Sequence, residues 1–389
     1  MELDVWGVEA SPYLLKVEAL LRYCGVDFRR LPRDGGWWEN IATHMRLSRA
    51  RRMRKVLRYP VMDALDEYPA VPYLIADGTG FQFDSSAIAD WLDAHYDSGA
   101  LPFVPESPVL AFVARLVDEA FDEYGLYMVH HQRWVSSAQS TTMGEVTAAE
   151  LARLISAPLA AFLRVNLPRR QVRRCPYLFS VAPPGYLAAV EPQRVAPSRP
   201  GFPATHALLE QSWLAYVDAL ESLLSVQPFI LGGRFTLADA SAYGQLSMNL
   251  IDPATRSELQ QRAPVTHQWL LDIRDGKHHG SSGELSLSPA LLPLLKIIMT
   301  TFAPLMVQNE RAYQRSVTAG ETVFNEAAFD RDLALYNGEL LGHCFRAVVK
   351  TFQVRVWGDL RMQWQALDES QRAALAAVLP NSHLLDSAD

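Results

Sequence analysis

Apolar and polar positions along the first hundred residues alternate between two periods. Leu3 and Val5 alternate with polar neighbours, the period of a short strand. Ser11-Pro12 then offers a cap and a first-turn proline, and Leu14, Val17, Leu21 and Cys24 recur at helical spacing until Gly25 ends the run. Phe28 and Leu31 mark a second strand, and residues 71–76 (VPYLIA) a third. Asp77-Gly78-Thr79-Gly80 reads as a turn into a fourth strand at Phe81-Gln82-Phe83. A helix follows with Ile88, Trp91, Leu92 and His95. The order is βαβ then ββα, a small α/β domain over residues 1–97.

From about residue 105 to 389 the pattern turns helical. Val113, Leu116, Val117, Ala120, Phe121 and Tyr124 make one apolar stripe, and Leu209, Trp213, Tyr216, Leu220 and Leu223 another. Residues 166–206 break the period with eight prolines and predict a long irregular loop or lid. GKHHGSSG at 276–283 is a second loop. The run from Ala290 to Val307 is long and apolar, but Pro293, Lys296 and Pro304 favour a buried core helix over a membrane span. Two further helices are expected over about 327–365 and 368–379.

Composition narrows the class. Apolar residues make up 49% and charged residues 20% of 389, which fits an ordinary soluble globular chain of two domains. A net charge of −7 is a poor basis for binding nucleic acid. Cys24, Cys175 and Cys344 are odd in number and far apart, so neither a disulfide framework nor a CxxC site is indicated, and a reducing, cytoplasmic setting follows. The N-terminus carries acidic residues where a secretion signal needs basic ones.

Three motifs carry a family resemblance. They are Ser11-Pro12-Tyr13 with Lys16-Val17 downstream, Val71-Pro72 followed twelve residues later by Asp84-Ser85-Ser86-Ala87-Ile88, and Gly233-Arg234-Phe235-Thr236-Leu237-Ala238-Asp239. In that order and spacing the chain resembles the soluble glutathione transferase superfamily. The resemblance is good over 1–97, moderate over 205–275 and loose between them, and the tail from about 285 is longer than most members carry. It implies a thioredoxin-like α/β domain followed by an all-α domain with an extended helical tail.

The resemblance also implies a ligand and site residues. Pro72 would be cis, and backbone groups of Val71 would hold the cysteinyl part of glutathione. Ser85 and the helix N-terminus would take the γ-glutamyl carboxylate, and Asp84 its ammonium. Ser11 would donate to the glutathione sulfur and stabilise the thiolate. Each has a plainer reading beside it: an edge-strand proline, a helix cap at Asp84-Ser85, and a helix cap at Ser11. Cysteine at the Ser11 position would mark thiol exchange; serine points to conjugation. Thr236 to Asp239 is a capping box with a structural role.

The leading expectation is therefore an enzyme that presents glutathione, a co-substrate, to a small apolar electrophile in a pocket made by helices around 108–134 and 290–310. A homodimer, with no metal, nucleic acid or membrane partner, accompanies that expectation. The alternative is a non-catalytic binding or scaffold protein with the same fold. Two clusters stand outside it. Arg46, Arg49, Arg51, Arg52, Arg54, Lys55 and Arg58 form either an anion site or, the preferred reading, a solvated helix pairing with Asp63, Asp66 and Glu67. Asp118, Glu119, Asp122 and Glu123 ahead of His130-His131 read as a solvated helix face rather than a metal site.

Overall fold

The computed structural model describes residues 3–53, 57–59, 64–67, 71–76, 80–96, 99–137, 141–188, 194–195 and 198–386. The α/β domain contains β1 (Leu3–Trp6), α1 (Pro12–Tyr23), β2 (Phe28–Leu31), α2 (Trp37–Met53), β3 (Leu57–Tyr59), β4 (Tyr73–Ala76), β5 (Phe81–Phe83) and α3 (Ser85–His95). Its sheet is ordered β2-β1-β4-β5-β3. β1 runs parallel to β2 and antiparallel to β4, and β4 is antiparallel to β5. This is the expected βαβ-ββα unit with an extra helix and edge strand between its halves. The turn expected at residues 77–80 lies largely outside the described residues.

Helices dominate thereafter. α4 (Pro108–Glu119) continues through a π-helical turn at Ala120–Gly125 into α5 (Leu126–His131), and a second π-helical turn covers Gln132–Ser136. α6 (Met143–Leu151) and α7 (Ala157–Arg174) precede a short ladder of β6 (Leu187–Ala188) and β7 (Arg194–Val195). Then come α8 (His206–Leu224), α9 (Leu237–Leu246), α10 (Pro253–Arg262) and α11 (Pro264–Arg274). The tail holds α12 (Leu292–Thr318), α13 (Asn325–Phe329), β8 (Leu335–Leu340), β9 (His343–Val348), α14 (Thr351–Ala366) and α15 (Glu369–Ala376).

Two sequence expectations change here. Residues 166–174 belong to α7, which continues through Pro168, so the irregular segment begins at Cys175. Of the 327–365 segment only the two ends are helical: β8 and β9 form a hairpin between them. Its turn is Leu341-Gly342, with φ of 49° and 79°. Two successive positive φ values match the twist of a two-residue hairpin.

The apolar run after Ala290 forms most of α12, a helix long and apolar enough to cross a membrane. In this structure Leu294, Leu295, Ile298, Met299, Phe302 and Met306 lie within the shared hydrophobic core, as expected for a core helix. That core runs without a break from α1 through α4, α8, α9 and α12 to α14. α1 crosses α9 so closely that a Cβ on Gly244 would stand 2.7 Å from the Pro12 carbonyl oxygen. Asp239 closes the expected capping box, accepting from Thr236 N at 2.9 Å and Ile230 N at 2.7 Å. His278 and His279 tie the 276–283 loop to α1, meeting the carbonyls of Ala19 and Tyr23, each at 2.9 Å.

Candidate functional site

The strand register brings the sequence-picked residues to one edge of the sheet in the sense of its rim, the end where β1 and β5 finish and β4 begins. Trp6 pairs with Tyr73, and Tyr73 with Phe83. The chain leaves β1 just past Trp6 toward Ser11, enters β4 from Val71-Pro72, and leaves β5 into Asp84-Ser85. All five residues therefore emerge along the same edge. The Val71–Pro72 bond is cis, as the resemblance implied.

Ser11 caps α1: its Oγ accepts from Leu14 N at 3.4 Å, and the residue is only 8% exposed. A hydroxyl that accepts from a helix N–H still has its own proton to donate. Asp84 caps α3, accepting from Ser86 N at 3.0 Å and Ala87 N at 3.1 Å. It does so at φ 66° and ψ 116°, a costly backbone for an L-residue and one that clusters at ligand sites. Ser85 follows at the first helical position, buried, with Oγ 3.5 Å from Asp122 Oδ2. The capping readings of Ser11 and Asp84 are thus present in the structure, and they leave the ligand readings open.

The acidic quartet corrects a sequence expectation. Asp118 and Asp122 are buried rather than solvated, met by Lys16 of α1, Ser86 of α3 and, at Asp118, Ser241 of α9. Lys16 Nζ lies 2.5 Å from Asp118 Oδ1, 2.7 Å from Asp122 Oδ2 and 2.7 Å from Ser86 Oγ. Ser86 in turn donates to Asp118 Oδ2 at 2.8 Å. Burial works against the Lys16 charge, but the two aspartates outweigh it and hold the ammonium protonated. Burial pushes Asp122, Glu119 and Glu123 upward, and their neighbouring carboxylates push the same way.

Tyr13 sits in this acidic surrounding and donates to the Asp122 carbonyl at 2.9 Å. Burial and the charges of Glu123 and Asp122 keep its phenol protonated. The groups that Asp118 and the π-helical turn present to Lys16 and Tyr13 are therefore polar, where the sequence reading expected an apolar pocket around 108–134. A shallow apolar groove does exist between α8 and α12, lined by Ala215, Ala219, Pro293, Ile297 and Thr300, but it shares no residue with the sheet-edge cluster.

The tail adds residues that sequence reading missed. Arg355 on α14 reaches Asp66, lies 2.9 Å from Asp359 Oδ2 and 3.5 Å from Asp84 Oδ2. Asp66, expected to pair with the Arg-rich run, is thus held by Arg355. Gln353 Nε2 donates to Glu123 at 3.0 Å and to the Tyr127 hydroxyl at 2.8 Å, and buried Lys350 contacts the same hydroxyl. Burial lowers the Lys350 ammonium's hold on its proton, against the pull of Glu123 and Glu67. Nothing in local periodicity marks these residues, since Arg355 meets the α/β domain, and Lys350 and Gln353 meet Tyr127, only through the tertiary path of the tail.

The Arg-rich run behaves in part as expected. Arg46, Arg49, Arg51 and Arg52 are exposed along α2, with the Arg46 guanidinium 5.3 Å from the Phe81 ring centre. Arg54, Lys55 and Asp63 lie outside the described residues, as does the Arg58 side chain. Trp37 and Trp38 are exposed, stacked edge to face at 4.5 Å. Cys24, Cys175 and Cys344 are not joined in disulfides.

Residues 193–270 match the family model described as the glutathione S-transferase C-terminal domain. No curated protein matches the chain. Among solved structures, the β-etherase LigF of Sphingobium sp. strain SYK-6 is 18% identical over 76% of this chain and 98% of its own, with a TM-score of 0.43. A glutathione S-transferase of Rhodospirillum rubrum F11 is 17% identical over 75% and 91%, with a TM-score of 0.36. One of Methylobacterium radiotolerans JCM 2831, in complex with glutathione sulfonate, is 18% identical over 74% and 99%, with a TM-score of 0.35. Neighbours this distant establish no reaction for this chain. Residues 193–270, set behind the βαβ-ββα domain, thus carry a glutathione S-transferase C-terminal domain.

Proposed function

We propose that the α/β domain binds glutathione along the sheet edge and activates its thiol for attack on a small, largely apolar electrophile. One observation carries this reading: the register Trp6–Tyr73–Phe83 gathers Ser11, Val71-Pro72 and Asp84-Ser85 at one edge. Backbone groups of Val71 would pair with the cysteinyl residue as an added strand does. Ser85 and the α3 N-terminus would receive the γ-glutamyl carboxylate. Asp84, with the acidic groups behind it, would face the ammonium.

A free thiol near ~8.5 is mostly protonated at neutral pH. A hydrogen bond from the Ser11 hydroxyl, beside the positive end of α1, stabilises the thiolate and so lowers that value. The thiolate sulfur then forms a bond to the electrophilic carbon, and the displaced group leaves with the bonding electron pair. Holding both reactants in one cleft supplies proximity. Glutathione is a co-substrate, and this chemistry calls for no metal. The reading carries with it a cytoplasmic homodimer, open to test by fractionation and by sedimentation.

A second reading rests on Arg355. Its guanidinium lies 3.5 Å from Asp84 Oδ2, and on this reading the tail would compete with a γ-glutamyl ammonium for that carboxylate. On this reading the chain keeps the fold as a binding or scaffold protein without turnover. Retention on immobilised glutathione, together with conjugation of a model aryl halide, separates the two. Retention with turnover supports the enzyme; loss of both supports the scaffold.

A further inference from the structure

His131, His206 and Glu210 converge although they come from distant parts of the chain. His131 ends α5, His206 opens α8, and Glu210 lies one helical turn beyond it. A ligand atom of each lies within 4.8 Å of the others. His206 Nε2 is 3.2 Å from Glu210 Oε1, and the two imidazole rings are 4.8 Å apart. An ordinary i, i+4 ion pair accounts for His206 and Glu210. It does not account for His131.

His131 is fully buried, and its Nδ1 lies 2.7 Å from Ser180 Oγ, while its Nε2 has no hydrogen-bond partner. His206 Nδ1 is likewise buried without one. Orphaned polar atoms occur elsewhere among the described residues. Here two of them belong to adjacent imidazoles, and the other nitrogen of His206, Nε2, meets the Glu210 carboxylate. A buried polar atom without a partner is costly, and a cation would relieve that cost.

We propose that His131, His206 and Glu210 form a divalent-metal site that takes zinc. Two imidazoles and one carboxylate are a common zinc ligand set, with a fourth position left to water. The groups fit in chemistry. A neutral imidazole offers one lone pair, and His131 Nε2 is buried with no hydrogen-bond partner to use it. Ser180 supplies the outer hydrogen bond that orients a metal-bound histidine: an Nδ1–H donated to Ser180 Oγ leaves Nε2 free to ligate. The Glu210 side chain is 46% exposed, which gives the ion a way in. Tetrahedral bonds of about 2.0–2.2 Å require ligand atoms roughly 3.3–3.6 Å apart, so the site closes by about an ångström on binding.

The position suggests a structural tie. Ser180 belongs to the irregular segment after α7, and the ring of Tyr186 from the same segment lies 5.2 Å from His206. Zinc here would tie α5 to α8, with the segment held to the site through the Ser180–His131 hydrogen bond. The site shares no residue with the sheet-edge cluster and stands or falls apart from the glutathione reading.

The test uses the full chain after chelation, titrated with zinc chloride by calorimetry and with cobalt chloride by visible spectroscopy. The expected result is one zinc per chain and the strong visible bands of tetrahedral cobalt. His206→Gln and Glu210→Gln each weaken zinc binding at least about tenfold, and Ser180→Ala, which spares every ligand, by about 10- to 100-fold. Glu210→Gln alters a half-exposed side chain and keeps the metal-free fold, checked by its melting curve. Absence of stoichiometric zinc, or equal zinc affinity in wild type and Glu210→Gln, overturns the proposal.

Discussion

The Lys16 ammonium lies between the carboxylates of Asp118 and Asp122, 2.5 Å from one and 2.7 Å from the other, and joins α1 to the helical domain through buried charge. All three side chains are almost wholly removed from water. A buried pair is not in itself strongly stabilising, but stripping one partner leaves an uncompensated charge. Lys16→Met should therefore lower stability by about 3–5 kcal/mol, read as a shift in the urea midpoint. Adding Asp118→Leu to it should recover part of the loss. A single mutant as stable as wild type would mean that the network is solvated in solution.

Arg355 offers a way to separate occlusion from catalysis. If it competes for Asp84, Arg355→Ala frees that carboxylate and should raise glutathione affinity several-fold, by calorimetric titration. If Arg355 contributes to the ligand site, affinity falls instead. Asp84→Ala with Ser85→Ala should weaken glutathione binding at least about tenfold, the scale of a lost charge-assisted hydrogen bond. Unchanged affinity in the double mutant would remove the γ-glutamyl assignment.

His278 predicts a pH dependence of stability. Burial pushes its imidazole down to about 4, against the Ala19 carbonyl that accepts from it; Arg22 and His279 press in the same direction as burial. The unfolded chain takes up a proton near about 6.5, while the folded chain refuses it. The contribution is therefore complete above about 6.5 and is lost as pH falls toward about 4, with a slope of at most about 1.4 kcal/mol per pH unit. His278→Gln keeps a donor for the carbonyl and cannot titrate. Its stability should fall less steeply than wild type over that range, followed by urea unfolding at several pH values. Identical slopes would show that His278 is not the titrating group.

Much of the α/β domain was legible because its signals are local. Ser11-Pro12 opens α1, Gly25 ends it, and the strand alternations at Leu3–Val5 and Phe81–Phe83 fall where the strands form. The capping box at Thr236 was legible for the same reason. The acidic quartet was misread because spacing shows which residues share a helix face, not what that face meets; Lys16, 102 positions from Asp118, decides its burial. The β8–β9 hairpin was missed because its turn, Leu341-Gly342, places a leucine where asparagine or aspartate usually gives the signal. Arg355 and the pairing of His131 with His206 arise only once the tail and the irregular segment have folded back. No local pattern carries them.

The central claim is that Ser11 donates to the glutathione sulfur, and Ser11→Ala tests it most directly. The substitution removes one donor and leaves Val71, Asp84 and Ser85 in place. Losing a hydrogen bond to a charged group costs about 1.5–3 kcal/mol, which corresponds to roughly one to two units in the pKa of the bound thiol. The decisive measurement is the ultraviolet absorbance of enzyme-bound thiolate, followed with the conjugation rate from about pH 6 to 9. The expected result is nearly unchanged glutathione affinity, less thiolate at neutral pH, and a conjugation rate that falls with it and recovers as pH rises. A Ser11→Ala protein that binds glutathione and matches the wild-type thiolate signal and rate across that range would contradict the assignment.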